Sequence, residues 1–335
     1  MEIDLQLEEF DVQCSIEGCS YIANEGQVER NNSIPRTIKV WKLSSDKVLD
    51  TGKPVVISSG FGRSMDQMGS LAANLAANGV PVYRYDSLDH AGMSDGNMVD
   101  FTLSTGLASL EAVIDWVAQR HGGSDVGLVS TSLTARIAYR LVSTSTSIAF
   151  LVTAVGVVHI RKTLLSVMGE DYSSYREEEL PATVDFERQP IGTIGFYTDF
   201  FKNNWLNKEE TIEELRTINV PISAFIANGD EWIDRSEIEE VIDPSAHSNR
   251  TVFIMEDCEH NFGKNLRSAE YFLISVTDIV CGYTLPDRDE ERIQVGFEQI
   301  LNQSIKERRI QRSYTKKSRA KERAHRNSIE EICES

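Results

Sequence analysis

Three residues of the right types for nucleophilic chemistry follow one another in this chain, each just past a run of apolar, mostly β-branched residues. Ser132 lies in Gly127-Leu-Val-Ser-Thr-Ser132-Leu-Thr-Ala-Arg136, Asp230 in Ala227-Asn-Gly-Asp-Glu-Trp232, and His260 in Met255-Glu-Asp-Cys-Glu-His260. A serine hydroxyl is a poor nucleophile at neutral pH and needs an imidazole base, and the imidazole needs a carboxylate to hold its tautomer and stabilise its cation. The pattern around Ser132 predicts a strand turning sharply into a helix, which leaves the hydroxyl clear of the sheet edge. The Leu133 N–H at the helix start would then face an oxyanion formed on an attacked carbonyl. The second donor is expected from the loop after strand 54–59, Ser59-Gly-Phe-Gly62, through the Phe61 N–H, with Gly62 as the alternate.

Each residue also has a simpler reading. Ser132 can be a helix N-cap, Asp230 a turn residue and His260 an exposed loop histidine; it is their joint placement that points to an enzyme. Glu231 is the neighbouring alternative to Asp230, whereas Asp257 and Glu259 are too close in sequence to His260 to support it. His121 and His247 follow helices, His159 caps a strand, and His325 lies in a charged tail. His90, in Asp86-Ser-Leu-Asp-His-Ala-Gly-Met-Ser94, reads as a loop-stabilising residue rather than a catalytic one.

The elements that must hold these residues alternate. Strands are predicted over 36–42, 53–59, 80–86, 125–131, 147–158, 220–228 and 250–255. Helices fall over 65–78, 105–120, after Ser132, near 235–241 and over 265–281. Such alternation gives an α/β fold with a mainly parallel sheet covered on both faces. Residues 160–216 break the rhythm and are expected to form a small, mostly helical cap over the site. Residues 1–34 read as an N-terminal extension and 35–285 as the domain. Residues 286–335 read as a charged C-terminal region, helical to 312 and disordered beyond.

An apolar fraction of 41% over 335 residues permits a large core. Net charge is −18, with ten Lys/Arg against two Glu over 306–326, which leaves about −26 on the rest. So acidic a body argues against nucleic acid as partner. Five cysteines without histidine partners suggest neither a disulfide framework nor a metal site, and no cofactor is expected. Cys14 and Cys19 alone are spaced to meet. No segment reads as a signal peptide or membrane span, so a cytoplasmic protein is expected.

The order Ser132, Asp230, His260 is that of the α/β-hydrolases, whose elbow is usually Gly-x-Ser-x-Gly. Ser130 and Thr134 stand here at the glycine positions. Five segments, Ile57–Asp66, Tyr83–Gly92, Gly127–Tyr139, Phe150–Val158 and Ala227–Trp232, resemble the LuxD-type acyltransferases of bacterial luminescence, in which a non-glycine elbow is normal. The resemblance covers roughly residues 35–285. It implies an α/β-hydrolase that takes a long acyl group, typically myristoyl, from acyl carrier protein or CoA onto Ser132 and releases it to water or an acceptor. The acid would serve the reductase and synthetase subunits of a fatty acid reductase complex, and Ser132, Asp230 and His260 fall on the family's triad positions. Ser130 replaces a usual alanine, and the basic stretch after Ile305 has no counterpart in the resemblance. A general carboxylesterase or lipase and a non-catalytic scaffold are the competing readings. For the acyl-transfer reading, Leu164, Leu165, Val167, Met168, Phe196, Phe200 and Phe201 are expected to line an acyl tunnel.

Overall fold

The computed structural model describes residues 4–15, 35–45, 52–216, 218–285 and 292–333, with side chains to Thr315. Its strands are β1 (Leu5–Cys14), β2 (Arg36–Ser45), β3 (Val55–Ser58), β4 (Val82–Tyr85), β5 (Val126–Thr131), β6 (Ile148–Ala154), β7 (Thr183–Phe186), β8 (Gln189–Gly192), β9 (Ile222–Ala227) and β10 (Arg250–Met255). Eight of them form one sheet in the order β1-β2-β4-β3-β5-β6-β9-β10. From β4 through β10 neighbours are parallel, and β2 pairs antiparallel with both β1 and β4. The central strands β3, β4 and β5 are buried at every residue, the consequence of continuous apolar runs covered on both faces. Even Gly127 has a packing reason, since a Cβ there would stand 2.2 Å from the Phe150 ring.

The helices are α1 (Gly69–Ala77), α2 (Leu103–Arg120), α3 (Leu133–Thr144), α4 (Ile160–Met168), α5 (Thr193–Lys202), α6 (Lys208–Arg216), α7 (Arg235–Ile242), α8 (Leu266–Thr284) and α9 (Phe297–Cys333). One face of the sheet is covered by α2, α3 and α7, with Leu110, Val113, Ile137 and Ile238 in its core. The other is covered by α1 and α8 through Leu71, Leu75, Phe272 and Val276. Helix α2 starts at a reciprocal Thr102–Thr105 capping box, and Asn265 caps α8.

Two parts of the expected organisation are corrected. The N-terminal segment is no separate extension, because β1 pairs along its length with β2, from Leu5 opposite Ser45 to Cys14 opposite Arg36. Its apolar signal is weak because it is an edge strand with one wet face, carrying acids that meet Lys39 and Lys42 across the pair. Cys19 lies outside the described residues. Within the mostly helical insertion at 160–216, β7 and β8 form a hairpin, with Pro190 opposite Asp185. The boundary at 285 also falls inside the folded unit, and α9 runs to Cys333 rather than ending at 312. Ile293 exchanges two hydrogen bonds with the Asn78 side chain, and the Val295 N–H donates to Asn74. Farther along, Ile310 and Tyr314 pack on Trp41, Met65 and Met93. Between them Glu307, fully buried, forms two hydrogen bonds with the equally buried Arg84 of β4, at 2.6 and 3.0 Å.

Candidate active site

Strand β5 ends at Thr131 and α3 begins at Leu133, so Ser132 occupies the corner alone, with φ 56° and ψ −131°. A non-glycine residue in that region is strained and persists only where its surroundings impose it. Here the Ser132 N–H donates to Ala154 O in β6, and its carbonyl accepts from Val157 and Ala135 N–H. Although Ser132 is in the N-cap position, its side chain makes no capping bond. Its Oγ lies instead 2.8 Å from His260 Nε2. The elbow's non-glycine flanks are explained by a local bond. Thr134 donates its hydroxyl to Thr131 O at 2.8 Å and therefore accepts from Ser130 Oγ at 2.9 Å, joining the last turn of the strand to the first turn of the helix.

Asp230 lies in the loop after β9 and His260 in the loop after β10, at the same edge of the sheet as Ser132. His260 Nδ1 is 2.8 Å from Asp230 Oδ2. A carboxylate can only accept, which assigns the proton to Nδ1 and leaves Nε2 to take the serine proton. The other oxygen, Asp230 Oδ1, accepts from the N–H groups of Trp232 and Ile233, and the carboxylate is 2% exposed. Trp232 also covers one face of the imidazole, ring centroids 4.3 Å apart. Glu231, by contrast, is exposed and not joined to His260. His159 is the N-cap residue of α4 and pairs with Glu237 at 3.0 Å, and His121 meets the Tyr83 hydroxyl.

The loop after β3 lies against the nucleophile: a Cβ at Gly60 would come within 3.3 Å of Ser132 Cβ. Among the described residues the Phe61 and Leu133 N–H groups meet no hydrogen-bond acceptor. The Gly62 N–H, the alternate donor, is already committed to His90 Nε2 at 3.0 Å.

The insertion reaches this loop through rings. Phe61 meets Phe186 of the hairpin at 4.6 Å and Phe101 at 5.5 Å, Phe101 meets Phe196, and Phe196 meets Phe200 at 4.3 Å. Of the residues expected along an acyl tunnel, Leu164, Phe196 and Phe200 are buried and Val167 and Met168 partly buried, whereas Leu165 and Phe201 face outward at 44% and 56% exposure. Phe186 was missed because Thr183–Phe186 is too short a run to read as a strand. A separate groove of about 570 Å³ runs between α1, α8 and the segment leading into α9, lined by Met68, Leu71, Leu273, Val295 and Phe297; Ser132, Asp230 and His260 take no part in it. No helix of the described residues is long and apolar enough to cross a membrane.

A family model described as acyl transferase matches residues 27–316. An acyl transferase of Photobacterium phosphoreum is 37% identical over 303 residues, covering 87% of this chain and 99% of the relative. One of Aliivibrio fischeri is 38% identical over 278 residues, covering 82% and 90%. Among solved structures, a monoacylglycerol lipase of Paleococcus ferrophilus superposes with a TM-score of 0.57 at 16% identity, over 73% of this chain and 99% of its own. The esterase Pf2001 of Pyrococcus furiosus gives 0.55 at 18% identity, over 83% and 93%. At such identities these two speak for the α/β-hydrolase fold alone. The family match and the two relatives carry the remainder, and this chain belongs to the acyl transferase family, of the LuxD type that its five segments resembled.

Proposed function

We propose that the chain is a serine acyltransferase and thioesterase in which Ser132 is the nucleophile, His260 the base and Asp230 the carboxylate that orients it. The observation that carries this is the unbroken chain from Ser132 Oγ through both nitrogens of His260 to Asp230, with both links at 2.8 Å. In the forward step His260 Nε2 takes the hydroxyl proton as Oγ bonds to the acyl carbon, and the carbonyl electron pair moves onto oxygen. The Phe61 and Leu133 N–H groups receive that oxyanion. Collapse expels the thiolate, which takes the proton back from His260, and water or another acceptor repeats the sequence to release the acyl group.

The substrate is a long-chain acyl thioester, myristoyl-like, on acyl carrier protein or CoA. Taking such a chain out of water is favourable by about 0.8 kcal/mol per CH₂, which calls for an extended apolar wall. The aromatic run from Phe61 through Phe186, Phe101 and Phe196 to Phe200 is the wall we assign to it. The released acid would feed aldehyde synthesis for luminescence in the cytoplasm, through reductase and synthetase subunits.

A fluorophosphonate probe followed by peptide mass spectrometry tests the nucleophile, and kcat/KM for myristoyl-acyl carrier protein, myristoyl-CoA and a short p-nitrophenyl ester tests the substrate. An adduct on the Ser132 peptide with preference for the long thioesters is expected. Preference for the short ester would make the chain a carboxylesterase, and no adduct at all a scaffold.

A further inference from the structure

His90 is a buried polar side chain that the acyl-transfer chemistry does not use, yet it reaches the loop that chemistry depends on. Residues Gly60–Arg63 form a turn closed by the Arg63 N–H on Gly60 O at 3.1 Å, with Gly62 at φ +68° in the third position. This is the type II arrangement, in which the middle peptide is rotated relative to a type I turn, and only glycine takes the third position without strain. The N–H of that middle peptide, from Gly62, donates to His90 Nε2 at 3.0 Å.

The histidine is itself held firmly. Asp86 at the start of its loop accepts from Met65 and Met93 N–H, each at 2.8 Å. Asp89 pairs through both oxygens with Arg36, and the Leu88 N–H donates to Ser109 Oγ. The ring packs between Phe61 at 5.3 Å and Phe101 at 5.0 Å. Gly92, at φ +128°, lets the backbone pass so close to Asp86 that a Cβ would meet its carboxylate at 2.1 Å.

We infer that His90 is a positioning residue for the oxyanion site: as a hydrogen-bond acceptor from Gly62 it fixes the middle peptide of the 60–63 turn, and so holds the Phe61 N–H toward the carbonyl attacked by Ser132. The inference rests on the serine mechanism proposed above. Without the acceptor, the 61–62 peptide is free to rotate. The Gly60–Arg63 turn is then held only by its closing Arg63–Gly60 bond, and the Phe61 N–H at its second position loses that restraint. The role requires a neutral ring with its proton on Nδ1. Burial pushes the His90 imidazole down to about 4, against a smaller upward pull from a backbone hydrogen bond at Ala91.

Two variants and one measurement on the unaltered enzyme test it. His90→Phe keeps the ring contacts and removes the acceptor, while the Oε1 of His90→Gln can reach the place of Nε2. A long-chain trifluoromethyl ketone, whose adduct with Ser132 carries the oxyanion, reads the site directly. For His90→Phe we expect kcat and ketone affinity to fall together by about 10–100-fold, below the loss for removing an oxyanion donor outright, with KM unchanged and with recovery in His90→Gln. Wild-type kcat and ketone affinity in His90→Phe, or equal losses in both variants, would overturn the role. Should neither variant fold, ¹⁵N-histidine NMR of the wild-type enzyme decides: a neutral Nδ1–H ring at pH 7 is required, and a protonated or Nε2–H ring refutes it. Absence of phosphonate labelling in the wild type would instead remove the serine mechanism itself, so the two failures are distinguishable.

Discussion

Removing the Glu307 carboxylate should destabilise the whole domain, although Glu307 lies beyond residue 285, where the sequence places the domain's end. Both partners of the Arg84–Glu307 pair have 0% exposed side chains, and two hydrogen bonds join them. Arg84 also donates to Met65 O at 3.0 Å and lies over the Trp41 ring. Glu307→Leu therefore leaves a guanidinium in the core with one carbonyl to satisfy it, and guanidinium cannot escape by losing its proton. Breaking a buried pair from one side costs about 3–5 kcal/mol, or about 4–7 °C in Tm for a chain of this size. Arg84→Met should cost less, since the orphaned Glu307 can take up a proton and keeps the 2.9 Å bond from Gln303. The Arg84→Met, Glu307→Leu double variant should recover most of the loss, because apolar replacement of a whole buried pair is often neutral. Thermal and urea unfolding of the four proteins closes the cycle. A Glu307→Leu variant within about 1 kcal/mol of wild type, below the range for a broken buried pair, would show that α9 is not part of the cooperative unit.

Other outcomes follow from the same geometry. Ser132→Ala should fold normally and lose both fluorophosphonate labelling and turnover; labelling retained at that peptide would assign the nucleophile elsewhere. Asp230→Asn should keep the fold and lower kcat by about 10⁴, because an amide can present its N–H to His260 and select the wrong tautomer, while Glu231→Gln stays near wild type; the reverse pattern would mean the acid is misassigned. The folded pKa of His90 is depressed from 6.5 to about 4, so the unfolded chain binds more protons in that window and stability falls as pH drops through it, by about 3 kcal/mol in all. Asp86, pushed up to about 7 by burial, works in the opposite sense over much of that range. The readout is thus the stability difference between wild type and His90→Gln, which should shrink from pH 7 to pH 4; a constant gap would refute it. A chain ending at Thr315 should retain wild-type Tm and small-thioester turnover, whereas one ending at Arg312 loses Tyr314, which packs on Trp41 and beneath Lys39, and should unfold at lower temperature; equal Tm values would show that this packing contributes nothing.

What could be read along the chain was whatever repeats locally or depends on order. The apolar runs at 126–131 and 222–227 mark buried parallel strands because both faces are covered, the run at 250–255 marks the partly buried edge strand beside them, and each of Ser132, Asp230 and His260 follows one of the three. Parallel strands linked by helices leave their carboxyl ends on one edge, so residue type plus position past a strand sufficed to bring together groups 128 and 30 residues apart. What tertiary structure alone decided are features that no local pattern encodes. The Ser130–Thr134 hydroxyl bond makes a non-glycine elbow workable, and its components look like ordinary polar residues. Histidine 90 shows a breaker-rich loop but not that Nε2 meets the Gly62 N–H. Strand β1 is legible only once β2 is beside it, since an edge strand with charged outward positions carries half a signal. Glu307 reads as one acid in a basic helix, and its partner lies 223 residues earlier. Its burial follows from where α9 lands against β4, which is set by the packing of the whole domain and not by the residues around it.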